Sequence, residues 1–209
     1  MAALDQDACA ALLGVSRETL APCAELLRLL VHWQKAYNLV GRSTLGDPWR
    51  RHILDSAQLL RYIPRGAGRL VDLGSGAGFP GLVLALLSEL EVHLIESSGT
   101  KIQFLREVLR CTGASARAHH ARIETLEALP ADVVTSRALA PLPALLHLAT
   151  PFLAPGGQCL FLTSRTQSDE LMRLSDGRHM VPRAFDSVSD PRGVVLQLKE
   201  VSRAPDRQP

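Results

Sequence analysis

The sequence predicts an α/β fold: a mostly parallel, seven-stranded sheet with helices on both faces and one antiparallel strand, preceded by an N-terminal helical segment. Three observations predict it. From about residue 67, short runs rich in β-branched residues alternate with helical ones, the pattern of right-handed βαβ units. A glycine cluster, "GSGAGFPG" from Gly74 to Gly81, stands in the first strand-to-helix turn. The last two apolar runs, "HMVPRAF" and "GVVLQLKEV", are separated only by the turn-like "SVSDPRG", so they close the sheet as a hairpin.

The elements follow in order. "SRETLAPCAELLRLLVHWQKAYNLV" reads as a helix capped by Ser16, with Leu20, Leu27, Leu30 and Val31 on one face. Asp47-Pro48 opens a second helix with a cap and a first-turn proline, and Trp49, Ile53, Ala57 and Leu60 repeat at helical spacing. "IPRGAG" breaks that pattern and divides a helical segment, residues 1–66, from an α/β domain, residues 67–209. The domain then runs "RLVDL", a helix from Pro80, "EVHLIE", a helix from about Thr100, "ASARAH", a short helix near Glu124, "ADVVTS", a helix from Leu142, and "GQCLFLT" before the hairpin.

Composition bounds the function classes. With 46% hydrophobic and 21% charged residues over 209 positions, the chain sits in the ordinary globular range and can bury a substantial core. Its apolar stretches are broken by charge or glycine short of a membrane span. "MAALDQDACA" carries acids where a signal peptide carries Lys or Arg, so a cytoplasmic protein is expected. Cys9, Cys23, Cys111 and Cys159 are widely separated, without CxxC or HExxH; free thiols are expected, not a metal site. The net charge of +2 is unevenly spread: residues 28–66 hold seven Lys and Arg against two acids, leaving a net −3 elsewhere. Such a segment is either a solvated helical face or a phosphate-facing patch centred on Arg50 and Arg51.

Ligands of open α/β sheets bind at the carboxyl ends of the strands, near the switch point of strand order. Gly76-Ala77-Gly78-Phe79-Pro80-Gly81 satisfies GxGxxG, which admits a dinucleotide oxidoreductase as one reading. Three details point elsewhere. Asp72, at the strand end, repels a pyrophosphate and attracts an ammonium group. Pro80 removes an N–H donor from the first helical turn. The closing hairpin leaves no room for a separate substrate domain. A cationic ligand with an amino acid end and a nucleoside end, S-adenosylmethionine, suits the turn better. Asp72 is then expected to face its amino group, directly or through water, and Gly74, Gly76 and Gly78 to admit its methionine portion.

Glu96 ends the second strand, 22 residues after Gly74, where an acid takes ribose hydroxyls. Ile123 and Glu124, after the third strand, are placed for an adenine edge, although an acid in a first helical turn needs no ligand. The turn after the fourth strand, "TSRALAPL", has neither the (Asn/Asp)-Pro-Pro-(aromatic) motif nor a nucleophilic Cys; it offers Arg137, which can bind a phosphate, a guanine edge or the cofactor.

Together "YNLVGRS", "RHILDS", "VDLGSGAGFPG", "SSGTKIQFL" with "ARIE", and "TSRALAPL" resemble, in order and spacing, the ribosomal RNA small subunit methyltransferase G family, also called glucose-inhibited division protein B. The resemblance runs from about Trp33 to Phe161. It implies a Rossmann-like class I methyltransferase fold and methyl transfer from S-adenosylmethionine to N7 of one guanine in the decoding region of 16S rRNA. It implies as partner the small ribosomal subunit or an assembly intermediate, with neither membrane nor metal. It makes Gly74 and Phe79 cofactor contacts, Ile123 and Glu124 adenine-side contacts, and Arg137 a positioning residue at cofactor and target base. His52, Asp55 and Asn38 become the N-terminal wall of the cleft. Thr163-Ser164-Arg165 replaces an expected Lys-Gly turn, so a lysine contact to RNA is either absent or shifted to Arg165, and "NLV" replaces Asn-Leu-Thr. A non-catalytic RNA-binding assembly module is the third reading.

Overall fold

The computed structural model of the protein describes residues 3–137, 139–174 and 180–201. Ala138 of "TSRALAPL" and His179 of "HMVPRAF" lie outside the described residues, as do the two ends of the expected segments. The seven strands are β1 (Arg69–Leu73), β2 (Glu91–Glu96), β3 (Ala116–His120), β4 (Ala131–Arg137), β5 (Leu153–Ser164), β6 (Val181–Asp186) and β7 (Gly193–Lys199). They form one sheet in the order β3-β2-β1-β4-β5-β7-β6. All neighbouring pairs are parallel except those of β7, which is antiparallel to both β5 and β6. Strand order therefore reverses between β1 and β4, and the glycine turn leaves β1 at that switch point.

The strands are apolar on both faces because helices cover both. On one face Leu70, Val92, Leu94, Val133 and Leu160 pack with α2 (Ala21–Gln34), α4 (Gly81–Leu87) and α5 (Gly99–Thr112). On the other, Val71, Leu73, Val134 and Phe161 pack with α6 (Leu142–Ala149) and with Leu171 of α7 (Arg165–Leu174). Successive residues of β1 thus alternate between two dry layers. β5 is longer than "GQCLFLT" predicts, and α7 is a helix the polar sequence "RTQSDELMRL" did not announce.

The N-terminal segment is built differently from the two helices expected. A separate α1 (Gln6–Leu13) is capped by the Asp5 side chain, which accepts the Ala8 N–H at 2.8 Å, and ends at Gly14 in the left-handed region. Ser16 holds only a short 3-10 turn, Glu18–Leu20, before α2 begins with Pro22 in its first turn. After Asp47-Pro48 the chain makes a π-helical segment, Trp49–Leu54, then α3 (Asp55–Ala57) and a 3-10 turn, Gln58–Tyr62. Periodicity cannot distinguish these windings over so few turns. The segment shares the core of the α4–α5 face, where Leu26, Leu30, Ile53 and Leu59 are fully buried. Trp33 donates its indole N–H to Glu107 of α5 at 3.0 Å, and the Gln158 side-chain amide of β5 donates to the Tyr62 carbonyl at 2.7 Å.

The β6–β7 loop is clamped to that segment. Val188 N–H donates to Gln58 Oε1 at 3.0 Å, the Ser189 hydroxyl donates to Asp55 Oδ1, and Arg51 pairs with Asp190 at 2.6 Å. Among the described residues the four cysteines are free, three of them buried and Cys111 exposed. No helix among the described residues is long and apolar enough to cross a membrane.

Candidate active site

A cleft of about 1400 Å³ opens at the carboxyl ends of β1, β2, β4 and β5. Its floor is the turn after β1. Gly74 and Gly76 have φ of +64° and +59° and line the cleft, conformations that side chains other than glycine rarely adopt. A Cβ on Gly76 would meet only the Gly74 carbonyl, at 3.8 Å, so the surface above it is open to a ligand. Gly78 serves another end than expected. Its Cβ would come within 2.7 Å of Leu82 Cβ and 3.1 Å of Leu105 Cδ2, so its missing side chain lets α4 and α5 pack and admits no ligand.

Asp72 also needs correction. It is fully buried and lies behind the turn, outside the cleft wall. Its Oδ1 accepts the Thr135 hydroxyl at 2.8 Å and its Oδ2 the Gly81 N–H at 3.2 Å. The strand pleat explains this: Asp72 shares the face of Leu70, against which α4 packs, and Gly81 must lack a Cβ to fit beside it. Burial pushes its carboxyl up to about 6, although the Thr135 and Gly81 hydrogen bonds oppose the shift. Asp72 therefore ties β1, β4 and α4 together instead of facing an amino group.

Glu96 does reach the cleft wall, and it also braces the turn. Its Oε2 accepts the Gly76 N–H at 2.9 Å and its Oε1 the Ser98 N–H at 2.7 Å. Each oxygen retains a lone pair for a further donor such as a ribose hydroxyl. Ile123 and Glu124 stand on a 3-10 turn, Ile123–Thr125, on the same side of the cleft, with the Glu124 side chain about half exposed. Leu139, which the sequence did not single out, lies over Gly74, its Cδ1 2.5 Å from where a Cβ would stand.

Arg137 ends β4 and reaches across to the helical segment. Its Nη1 donates to the Arg51 carbonyl at 3.1 Å and lies 3.5 Å from Asp55 Oδ2. The guanidinium sits over the Phe79 ring, with Cζ 5.2 Å from the centroid, and His52 stacks on the same ring at 4.5 Å and 19°. Burial lowers the Arg137 pKa while Asp55 and Asp72 oppose this; guanidinium remains a cation throughout. His52 and Asp55 thus join the wall, as the motif "RHILDS" implied. Asn38 does not: it is exposed and held by Gln34, and its neighbours Leu39, Val40 and Gly41 line the cleft instead.

The expected RNA contacts separate. Arg51 and Arg165 are on the cleft's rim, partly exposed and paired with Asp190 and Asp186, each at 2.6 Å. Arg50 is off the rim; its Nε donates to Asp47 at 2.8 Å, and Asp47 also accepts the Leu4 N–H, which fastens the start of the chain. Sequence reading missed Thr135, Ser189 and Asp190, whose partners lie 63 to 139 positions away. Only the fold brings them together.

A parallel sheet with an antiparallel seventh strand, and a glycine-floored cleft backed by an acid on β2, define a class I methyltransferase that uses S-adenosylmethionine. Solved structures share this fold. A putative O-methyltransferase from Klebsiella pneumoniae matches with TM-score 0.59 at 16% identity, over 88% of this chain and 90% of that one. An rRNA methylase from Streptococcus thermophilus matches with TM-score 0.53 at 15% identity, over 69% and 93%. The chain belongs to the family described as rRNA small subunit methyltransferase G, whose model matches residues 20–188. It is 58% identical over 189 residues to the Ribosomal RNA small subunit methyltransferase G of Rhodospirillum centenum, covering 90% of this chain and 88% of the relative. It is 53% identical to that of Paramagnetospirillum magneticum, over 91% and 93%. The dinucleotide reading is thereby set aside, and rRNA is the substrate class.

Proposed function

We propose that the protein transfers a methyl group from S-adenosylmethionine to N7 of one guanine in the decoding region of 16S rRNA, acting on the small ribosomal subunit or an assembly intermediate. The observation that carries this reading, beside family membership, is that His52 and Asp55 are already engaged around Arg137, and Glu96 by the amides of the turn. Both His52 nitrogens have partners, as do both oxygens of Asp55 and of Glu96. Such a site is built to orient, not to abstract a proton. Guanine N7 suits it, because its lone pair is free and carries no proton to remove.

The residues fit the cofactor by their chemistry. The open surface over Gly76 admits a chain close to the backbone, and Glu96 offers acceptors for ribose hydroxyls. Gly74 and Phe79 complete that side, while Ile123 and Glu124 would flank the adenine. When bound, S-adenosylmethionine supplies an electrophilic methyl group on a sulfonium. The protein's own task is to hold the base in line and to exclude water. Arg137 is the orienting group: its donors suit the O6 acceptor of guanine, which leaves the N7 lone pair free to attack the methyl group, and its contacts with Arg51 O, Asp55 and Phe79 hold it at the cleft. Arg51 and Arg165 on the rim would meet backbone phosphates.

Small subunits from a strain lacking this activity, incubated with the protein and labelled S-adenosylmethionine, test the proposal. Label in 16S rRNA is expected. Label absent from RNA, with S-adenosylhomocysteine still bound by the protein, would favour the non-catalytic assembly module.

A further inference from the structure

We infer that His52 is a positioning residue for the transfer: its neutral ring, donating from Nε2 to Thr44 and accepting at Nδ1 from Arg137, sets the plane in which the guanidinium meets the base. The inference rests on the function proposed above for Arg137.

The hydrogen-bond inventory fixes the tautomer from both ends. Thr44 spends its one hydroxyl proton on the Gly41 carbonyl, at 2.6 Å. Its oxygen can therefore only accept from His52 Nε2, 3.0 Å away, so Nε2 carries a proton. At the other side Arg137 Nη1 and Nη2 both lie 3.5 Å from Nδ1. A guanidinium has no acceptor, so Nδ1 must be the lone-pair nitrogen. Two independent partners demand the same neutral ring. Burial pushes the His52 pKa down to about 3, and the charges of Arg137 and Arg51 act in the same direction. Asp55 faces the same guanidinium, from α3.

The surroundings make this ring a relay of position. It is 1% exposed and lies on the Phe79 ring, so its plane is fixed. The π-helical segment Trp49–Leu54 presents both His52 and the Arg51 carbonyl toward Arg137. Through Thr44 and Gly41 the guanidinium is referred back to the loop before that segment, a part of the chain with no strand in the sheet. Packing against Phe79 alone would require an aromatic surface but no particular nitrogen.

Two substitutions separate these roles. The Oδ1 of an asparagine stands near the place of Nδ1, whereas a glutamine carries its amide near Nε2. Transfer to small subunits should fall about tenfold or more in kcat for His52→Gln, with KM and S-adenosylhomocysteine affinity little changed, while His52→Asn keeps within about threefold of wild type. Equal losses in the two variants, or a loss confined to KM, would overturn the inference. Nitrogen-15 spectra of the full-length wild-type protein provide a second reading that needs no activity. A protonated Nε2 and a lone-pair Nδ1 at about pH 6, the Nδ1 signal moving in Arg137→Ala, are expected; a protonated Nδ1 or an imidazolium would contradict it. Wild-type enzyme that transfers no methyl would refute the functional reading, and the nitrogen spectrum would still decide the His52–Arg137 contact.

Discussion

The Asp72 carboxylate accepts the backbone N–H of Gly81 at 3.2 Å, so the end of β1 and the start of α4 are joined through one buried acid. The glycine turn hangs between those two points. Gly81→Ala would place a Cβ within 2.6 Å of both Asp72 Cβ and Leu94 Cδ2. A loss of about 2–3 kcal/mol in unfolding free energy is expected, as for overpacking in a rigid core, and urea denaturation checks it. Gly46→Ala, with nothing within 4 Å of its Cβ, is the control and should change little.

The same acid gives stability a pH signature. The folded state raises the Asp72 pKa from 3.8 to about 6, so folded protein holds this proton more tightly than unfolded chain. Its contribution is fully present below pH 3.8 and is lost as pH rises through about 6. Asp72→Asn cannot titrate. Its stability relative to wild type should therefore rise by about 3 kcal/mol between roughly pH 3.5 and pH 7. Denaturation curves of both proteins across that range measure the difference, which a solvated Asp72 would leave flat.

Glu96→Gln separates bracing from ligand binding. One amide oxygen can replace one carboxylate oxygen, but Gly76 N–H and Ser98 N–H both need an acceptor. The substitution should weaken S-adenosylhomocysteine binding by about tenfold or more, since one donor is left facing an NH2 group. Calorimetric titration reads this directly.

The cations of the helical segment should divide by position. Arg51→Ala and Arg165→Ala, on the rim, are each expected to lower the slope of log affinity for small subunits against log salt by about 1, with cofactor affinity unchanged. Arg50→Ala should leave that slope in place and cost about 1 kcal/mol of stability, because its partner Asp47 is only 22% exposed. An equal effect of Arg50 and Arg51 on the slope would restore the whole segment as one RNA face.

The architecture was legible because hydrophobic periodicity is local: all seven strands fall where their apolar runs stand, and the hairpin foretold the antiparallel β7. The Gly74–Gly76 turn and Glu96 were legible for a similar reason, since their spacing along βαβ units fixes their place. Asp72 was misread because a residue number at a strand end does not say on which face of the pleat the side chain falls. The π-helical winding of Trp49–Leu54 was invisible because periodicity does not resolve windings over so few turns, and the clamp from Ser189 and Asp190 because its partners lie more than 130 positions away.

The central claim is that this cleft aligns a guanine N7 with a methyl donor, with Arg137 as the orienting group. Its most direct test is to map the methylated position in 16S rRNA after transfer by wild-type and Arg137→Ala enzyme, using cleavage chemistry selective for 7-methylguanine. A single cleavage site in the decoding region, lost with Arg137→Ala while S-adenosylhomocysteine still binds, is predicted. Methyl groups on another atom of the RNA, or full 7-methylguanine formation without Arg137, would contradict it.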